Sequence, residues 1–396
     1  MKKLLVLLVA LSLRAQDFTD VEKTAREEMT KLGVPGIAVA VVRGDQVIYK
    51  KGIGVASVET GEAVRPEMLF RLGSTTKMMT ATALVSLAVE GKADLEAPIG
   101  KYLPFLTPKL SKITANQLLS HTAGIHDEAP MFGSHDETAL GAGIHSWTDA
   151  WLFTDPGKIF SYSNPGYWMA GYLVETITGK PYADAMEERV FKPFGMARTT
   201  LRPTMAITWP LAQGHEAGKV VRPAADNAAG WPAGSVFSNV EDLSRFVIAC
   251  LNQKNRAFAL MSTAHAKEPG SDSSYGYGLT IHTVRGVPIV EHGGSRSGYG
   301  SMIRMAPAQK VGIIILANRS GASLPATMTK ISELLLPMGP VNADFTHLVA
   351  VPAPGVYQNG EQKVEIVAGK PLDRGLVAEG DYVCRGSRCF ARVTTK

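Results

Sequence analysis

The chain has 396 residues, with 41 Lys and Arg against 36 Asp and Glu, for a formal charge of +5. That excess makes no case for a nucleic-acid partner. Three Cys are too few for a disulfide framework. The N-terminus reads Met-Lys-Lys followed by the apolar run Leu4–Leu13. This run is too short to span a bilayer and has the layout of a signal peptide, residues 1–15, cleaved after Ala15. Cleavage would remove the three cations Lys2, Lys3 and Arg14 and lower the charge from +5 to +2. The expected product is periplasmic or secreted, with no stable membrane anchor, and long enough for two lobes.

Thr19-Asp20-Val21-Glu22 reads as a capping box. Val21, Ala25, Met29 and Leu32 then recur at helical spacing until Gly33 and Pro35. The runs Ile37–Val42 and Gln46–Lys50 predict a hairpin around Arg43-Gly44-Asp45. Phe70–Gly73 reads as a strand end and turn, and 75–90 as a helix stopped by Gly91. That helix is apolar nearly all round, so burial is expected. A second helix covers Tyr167–Thr178, ended by Gly179. A third covers Leu243–Leu251, opened by a capping box at Ser238-Asn239-Val240-Glu241 and carrying a buried Cys250. A second hairpin joins Ser301–Ala306 to Val311–Asn318, and the helix Ala322–Leu336 follows.

Strands from both ends of a long helical middle predict an α+β fold, an antiparallel sheet flanked by helices with a mostly helical second lobe. The expected hydrolase domain is 16–338, its sheet lobe from 16–77 and 286–338 and its helical lobe from 78–285. Residues 339–396 have the alternating texture of a small β-rich appendage. There, Cys384 and Cys389 flank a turn across which they are placed to pair.

Three motifs carry chemistry: Ser74-Thr75-Thr76-Lys77, Tyr162-Ser163-Asn164 and His292-Gly293-Gly294. None is persuasive alone. Ser74 reads equally as an N-cap, Tyr162 as a turn tyrosine, and the glycines as a hairpin loop. Together they are richer. Ser74 stands at a helix N-terminus, which favours developing negative charge. Lys77 follows one turn later on the same face. Burial would disfavour its charged form and make it a usable base, at about 4 kcal/mol to bring it near neutrality. His121, His126, His135 and His145 lie among Asp127, Glu128, Asp136 and Glu137. Their spacing puts no pair on one helix face, so a solvated polar loop is expected, with no metal and no cofactor. No Gly-x-Ser-x-Gly is present, which argues against an α/β-hydrolase.

The three motifs, with Met68–Ser74, Leu118–Gly124, Pro156-Gly157 and Pro232–Ser235, resemble the serine β-lactamase-like superfamily. Within it the chain is most similar to class C β-lactamases, D-alanyl-D-alanine carboxypeptidases and related esterases. The resemblance runs from about Val34 to about Leu336. It implies that Ser74 attacks an ester or amide carbonyl, that Lys77 and Tyr162 move protons, and that the backbone N–H groups of Ser74 and Ser295 hold the oxyanion. It also implies that Asn164 binds Lys77 or substrate and that His292, Gly293 and Gly294 line the site. His292 stands where class C enzymes have Lys, and a His there is similar to the D,D-peptidase branch; Gly293 departs from both branches, where a hydroxyl-bearing Thr or Ser is usual. A largely neutral His292 and a Gly293 without a hydroxyl would hold no substrate carboxylate, which favours an esterase on small neutral esters over a β-lactamase or D,D-peptidase, unless Arg296 or Arg304 reaches the cleft. A sensor of β-lactams that does not turn over is the remaining alternative. Retention of Tyr162 argues against it.

Overall fold

The computed structural model describes residues 16–341, 352–368, 373 and 375–393. The expected signal peptide lies outside the described residues. An eight-stranded antiparallel sheet runs Gln46–Gly54, Gly36–Arg43, Val311–Ala317, Tyr299–Ala306, Val287–Arg296, Thr280–Val284, Ser274–Tyr275 and Ala266–Lys267. Its second and third strands join the two ends of the domain, with Ile37 opposite Ala317 and Arg43 opposite Val311. Val311–Ala317 is buried at every position, as an apolar run without polar alternation requires. Side chains alternate between two cores. Ala38, Ala40, Val42, Ile314 and Leu316 face the helical lobe. Ile37, Val39, Val41, Ile313 and Ile315 face the helices Thr19–Leu32 and Pro325–Leu335.

The sheet reaches further back along the chain than the expected boundary at 286. Thr280–Val284 and the two short strands before it pair onto Val287–Arg296. The β-branched run at 280–284 is the physical reason. Both capping boxes also need correction. The first helix has Phe18 at its N-cap without a side-chain cap, and the Asp17 carboxylate accepts from Thr19 N at 2.9 Å. Phe18 instead stacks on Tyr49. The helix Val240–Leu251 is capped by Asn239, which accepts from Asp242 N at 2.8 Å. Ser238 belongs to a short strand with Phe237, opposite Phe70.

One carboxylate ties the terminal helices together. Glu28 is 9 % exposed and caps Pro325–Leu335. It accepts from Ala326 N at 2.8 Å and from Thr327 N and Thr327 Oγ1 at 2.7 Å each. A carboxylate at a helix N-terminus gains from both the free N–H groups and the dipole. Glu28→Ala is expected to lower unfolding free energy by about 2–3 kcal/mol, since charge-assisted hydrogen bonds are lost together. The chemical-denaturation midpoint reads it.

The C-terminal residues form a separate five-stranded sheet in the order Gln362–Ile366, Gly355–Asn359, Arg388–Arg392, Tyr382–Arg385 and Leu376–Glu379. Cys384 and Cys389 sit opposite each other in its last hairpin and are disulfide-bonded. Gly386 takes a φ of +57° in the turn between them, where a side chain would be strained.

Candidate active site

Ser74 lies in a short turn of 3-10 helix, Gly73–Thr75, that leads directly into the helix Thr76–Val89. The strand Val287–Arg296 is brought against it by two glycines. A Cβ on Gly73, which has a φ of +55°, would lie 2.6 Å from Ser295 N. A Cβ on Gly294 would lie 1.9 Å from the Leu72 carbonyl. Ser301 Oγ donates to that same carbonyl at 2.6 Å. Backbone thus meets backbone where the first and third motifs join. Gly293 is different: the nearest atom to a Cβ there would be the flexible Met302 methyl at 3.2 Å, with the Ser301 carbonyl at an ordinary 3.8 Å.

Lys77 is fully buried. Its Nζ lies 3.3 Å from Ser74 Oγ, 2.7 Å from Asn164 Oδ1 and 2.8 Å from the Ala233 carbonyl. Burial brings its pKa down to about 7, against a partial opposing pull from Asp127. The Tyr162 ring packs 4.8 Å from Lys77 Nζ. Burial raises the Tyr162 phenol well above its ordinary value, although its hydrogen bond with Ser74 pulls the other way. At neutral pH it is a protonated donor. The helix Asn164–Thr178 begins right behind it, capped by Ser163 Oγ on Gly166 N at 3.1 Å.

His121 holds that loop in place. Its Nδ1 accepts from Ser163 N at 3.1 Å, its carbonyl accepts from Ser161 N at 2.8 Å, and its ring lies 4.2 Å from that of Tyr162. Burial keeps it neutral, well below the ordinary histidine value. The expectation of a solvated loop holds for the exposed stretch 130–136 and for His145, and is overturned for 121–127. His121 and His126 are buried, His126 stacks on Trp151, and the Asp127 carboxylate is enclosed by its partners. His135 and His145 turn elsewhere, to Asp226 and to the Phe105 ring. No charge run or apolar period marks such a segment, so its burial had no signal in the sequence.

His292 is also neutral. Burial and the nearby Lys77 bring it down to about 4. Its Nδ1 lies 2.6 Å from the Gly293 carbonyl and its Nε2 2.9 Å from Tyr275 OH, so Nδ1–H donates and Nε2 accepts from the phenol. Glu291 faces the opposite side of the sheet, as strand alternation predicts. There Arg304 and His282 hold it ionised, down to about 2. Arg304 is therefore committed away from Ser74. Arg296 is not.

Three participants were not foreseen: Ala233, Asp127 and Arg388; of the two arginines the sequence offered for the cleft, Arg296 is the one that lines it. Asp127 Oδ1 accepts from Asn164 N at 2.8 Å and from Asn164 Nδ2 at 3.0 Å, which aims Asn164 Oδ1 at Lys77. Its other oxygen is held by Arg388, from the tip of the C-terminal hairpin. The adjacent Ser387 carbonyl accepts from Tyr162 N at 2.8 Å, and Cys389 N donates to Ser161 Oγ at 3.1 Å. A cavity of about 170 Å³ opens at Ser74, with Asn164, Trp168, Asn227, Ser295 and Arg296 in its wall. A wider cleft of about 710 Å³ lies between Gly270 and Gly380 and holds none of the three motifs.

The profile of the Beta-lactamase family matches residues 21–335. Protein flp of Staphylococcus aureus is 25 % identical over 317 residues, which are 77 % of this chain and 64 % of that one. The chain thus spans under two thirds of that relative's length. The octameric penicillin-binding protein homologue from Pyrococcus abyssi superposes with a TM-score of 0.70 at 25 % identity, covering 93 % of this chain and 87 % of that one. D-alanine carboxypeptidase AmpC from Burkholderia cenocepacia superposes with a TM-score of 0.67 at 25 % identity, covering 81 % and 99 %. With these matches and the junction of its three motifs at Ser74, the chain belongs to the Beta-lactamase family of serine hydrolases.

Proposed function

We propose that this serine hydrolase works through a covalent acyl-enzyme on Ser74 and turns over small esters whose leaving group carries no charge. One observation carries the reading: a fully buried lysine, titrating about 7, whose Nζ is 3.3 Å from Ser74 Oγ. At neutral pH a large fraction of Lys77 is free amine, able to take the Ser74 proton as Oγ attacks. Asn164 Oδ1 and the Ala233 carbonyl fix the nitrogen while it does so. The oxyanion falls to the N–H groups of Ser74 and Ser295. Tyr162, a neutral phenol hydrogen-bonded to Ser74, hands a proton to the leaving group, and Lys77 restores it. Water then repeats the sequence on the acyl-enzyme. The disulfide and the N-terminal apolar run support action after export.

The leaving-group preference follows from the third motif. A β-lactam or D-Ala-D-Ala substrate carries its carboxylate on the leaving side. Here the neutral His292 and the bare Gly293 offer that carboxylate neither a cation nor a hydroxyl. Each missing charge-assisted hydrogen bond removes about 1.5–3 kcal/mol. The kcat/KM for p-nitrophenyl butyrate is therefore expected to exceed that for a cephalosporin or a D-Ala-D-Ala dipeptide by at least about 100-fold. A carboxylate-leaving substrate that equals the ester would move the assignment to a β-lactamase or carboxypeptidase. A single stoichiometric burst without turnover would move it to a sensor.

Arg388 has a testable share in this chemistry. The Asp127 charge raises the Lys77 pKa, and Arg388 sits on Asp127. Arg388→Ala leaves that charge facing Lys77 uncompensated. The acidic limb of kcat/KM against pH, set near 7 by Lys77, is expected to move up by about 0.5–1. An unmoved limb with lower kcat would show that Arg388 only supports the hairpin.

A further inference from the structure

The cavity at Ser74 has a charged wall that the mechanism leaves unused. Arg296 lines it, and Arg71 meets Arg296 behind that wall at the Ala225 carbonyl, the two coming from either side of the junction between the first and third motifs. Arg71 is 3 % exposed and donates to the Ala225 carbonyl and, at 3.3 Å, to Asp226 Oδ1. Arg296 Nη2 reaches the same Ala225 carbonyl at 3.3 Å. Its Nε is buried and has no hydrogen-bond partner. Among the described residues no carboxylate lies within 4.0 Å of Arg296. Asp226, the acid closest to hand, is engaged by Arg71, by Trp231 Nε1 at 3.2 Å and by His135 Nδ1 at 2.9 Å. Asp226 is thus paired with Arg71 and reaches Arg296 only as a more distant charge. Burial and the facing Arg71 press Arg296 down to about 9, so it is still charged at neutral pH but held at a cost. A like-charge pair in a low-dielectric wall is relieved by an anion that enters beside it.

The side on which this charge lies decides what it meets. Arg296 shares the cavity with Ser74, Asn164 and Trp168, whereas Tyr162 and His292 are not part of its wall. In the acyl-enzyme reading, on which this step rests, Tyr162 protonates the leaving group. The cavity therefore takes the acyl group. At roughly 170 Å³ it is a small cavity, suited to a short acyl chain rather than a bulky one.

The geometry points to an anion subsite at Arg296, backed by Arg71, that selects acyl groups ending in a carboxylate: the enzyme would act on half-esters of short dicarboxylic acids, with a neutral leaving group. The expectation of wholly neutral substrates is thereby narrowed to the leaving side alone. The guanidinium fork is suited to a carboxylate, which it meets with two parallel hydrogen bonds.

The comparison is p-nitrophenyl butyrate against mono-p-nitrophenyl glutarate, with the spontaneous rate of each subtracted. Wild type is expected to favour the glutarate at least 10-fold in kcat/KM. Arg296→Gln is expected to shrink that preference 10- to 100-fold, mainly through KM, and Arg296→Lys to recover part of it. A wild type that prefers butyrate, or a ratio changed less than threefold in Arg296→Gln with its unfolding temperature intact, overturns the subsite. If wild type hydrolyses neither ester, the esterase reading fails by itself. Free glutarate then decides the subsite: it should raise the unfolding temperature of wild type, while butyrate does not, and the shift should vanish in Arg296→Gln. No such shift overturns it.

Discussion

Ser74→Ala is expected to lower kcat/KM for any hydrolysed ester by at least about 10⁴-fold while leaving the unfolding temperature unchanged. The loss is large because no second nucleophile stands beside Lys77 and Tyr162 among the described residues. The lysine, the phenol and the two N–H groups are all arranged around one Oγ. Removing any member of such a unit costs about as much as removing several. The fold should not notice. Among the described residues Ser74 Oγ is engaged by Lys77 and Tyr162, and the turn holding it is fixed by backbone contacts to Ser295 and by hydrogen bonds to the Leu72 carbonyl. Covalent labelling with a fluorophosphonate, followed by peptide mass mapping, should place the adduct on Ser74 in wild type and nowhere in the variant. Activity within tenfold of wild type would mean that another nucleophile does the work.

Lys77→Met is expected to remove activity by about 10³- to 10⁴-fold and, separately, to change how stability responds to pH. The sign follows from linkage. In the folded chain Lys77 titrates about 7, and in the unfolded chain at its ordinary value of 10.5. Between those values the unfolded state holds one more proton, so stability rises with pH across the window. Below about pH 7 both states are protonated and the contribution is flat, at its most unfavourable. From pH 7 to pH 9 wild type should gain roughly 2–3 kcal/mol relative to Lys77→Met, at 1.36 kcal/mol per pH unit. Denaturant melts of both proteins at the two pH values read the difference. Equal pH dependence would show that Lys77 is not depressed, and with it the proposed base would fall. The net stability of the variant at one pH is less telling, because Asn164 Oδ1 and the Ala233 carbonyl each lose a donor.

The parts of this site that could be read from the chain are those whose chemistry is local. Ser74 and Lys77 are one helical turn apart, and an apolar helix around a lysine already implies a depressed amine. Tyr162 and Asn164 share one loop, and His292, Gly293 and Gly294 one strand. Hairpins at 37–50 and 301–317 showed in their β-branched alternation. What stayed hidden depends on contacts between distant segments. Asp127 and Arg388 are meaningful only as a pair, and they lie in different sheets and loops. Ala233 contributes a carbonyl, for which no residue type is diagnostic. Arg296 and Arg304 were equal candidates for the cleft. Only the register of the strands sends one to Ser74 and the other to Glu291. The misplaced caps at Thr19 and Ser238 have a simpler origin. Neighbouring polar residues compete for one N-cap, and packing of Phe18 and pairing of Ser238 decided it.

The joining of Gly36–Arg43 to Val311–Ala317 within the sheet has a consequence for how the chain becomes a protein. Val311–Ala317, buried at every position, is synthesised near the end of the domain, and its partner Gly36–Arg43 near the beginning. Until Val311–Ala317 emerges, Gly36–Arg43 has only one neighbour, Gln46–Gly54, and an isolated hairpin of that kind is marginal in water. Closing a loop of this length must precede any reward from pairing, so folding is expected to be slow and to begin late. The nascent chain would carry a long, apolar, unpaired strand edge through most of translation. A factor that shields such edges, or a route that keeps the chain extended until it is complete, would serve this topology better than spontaneous folding on the ribosome.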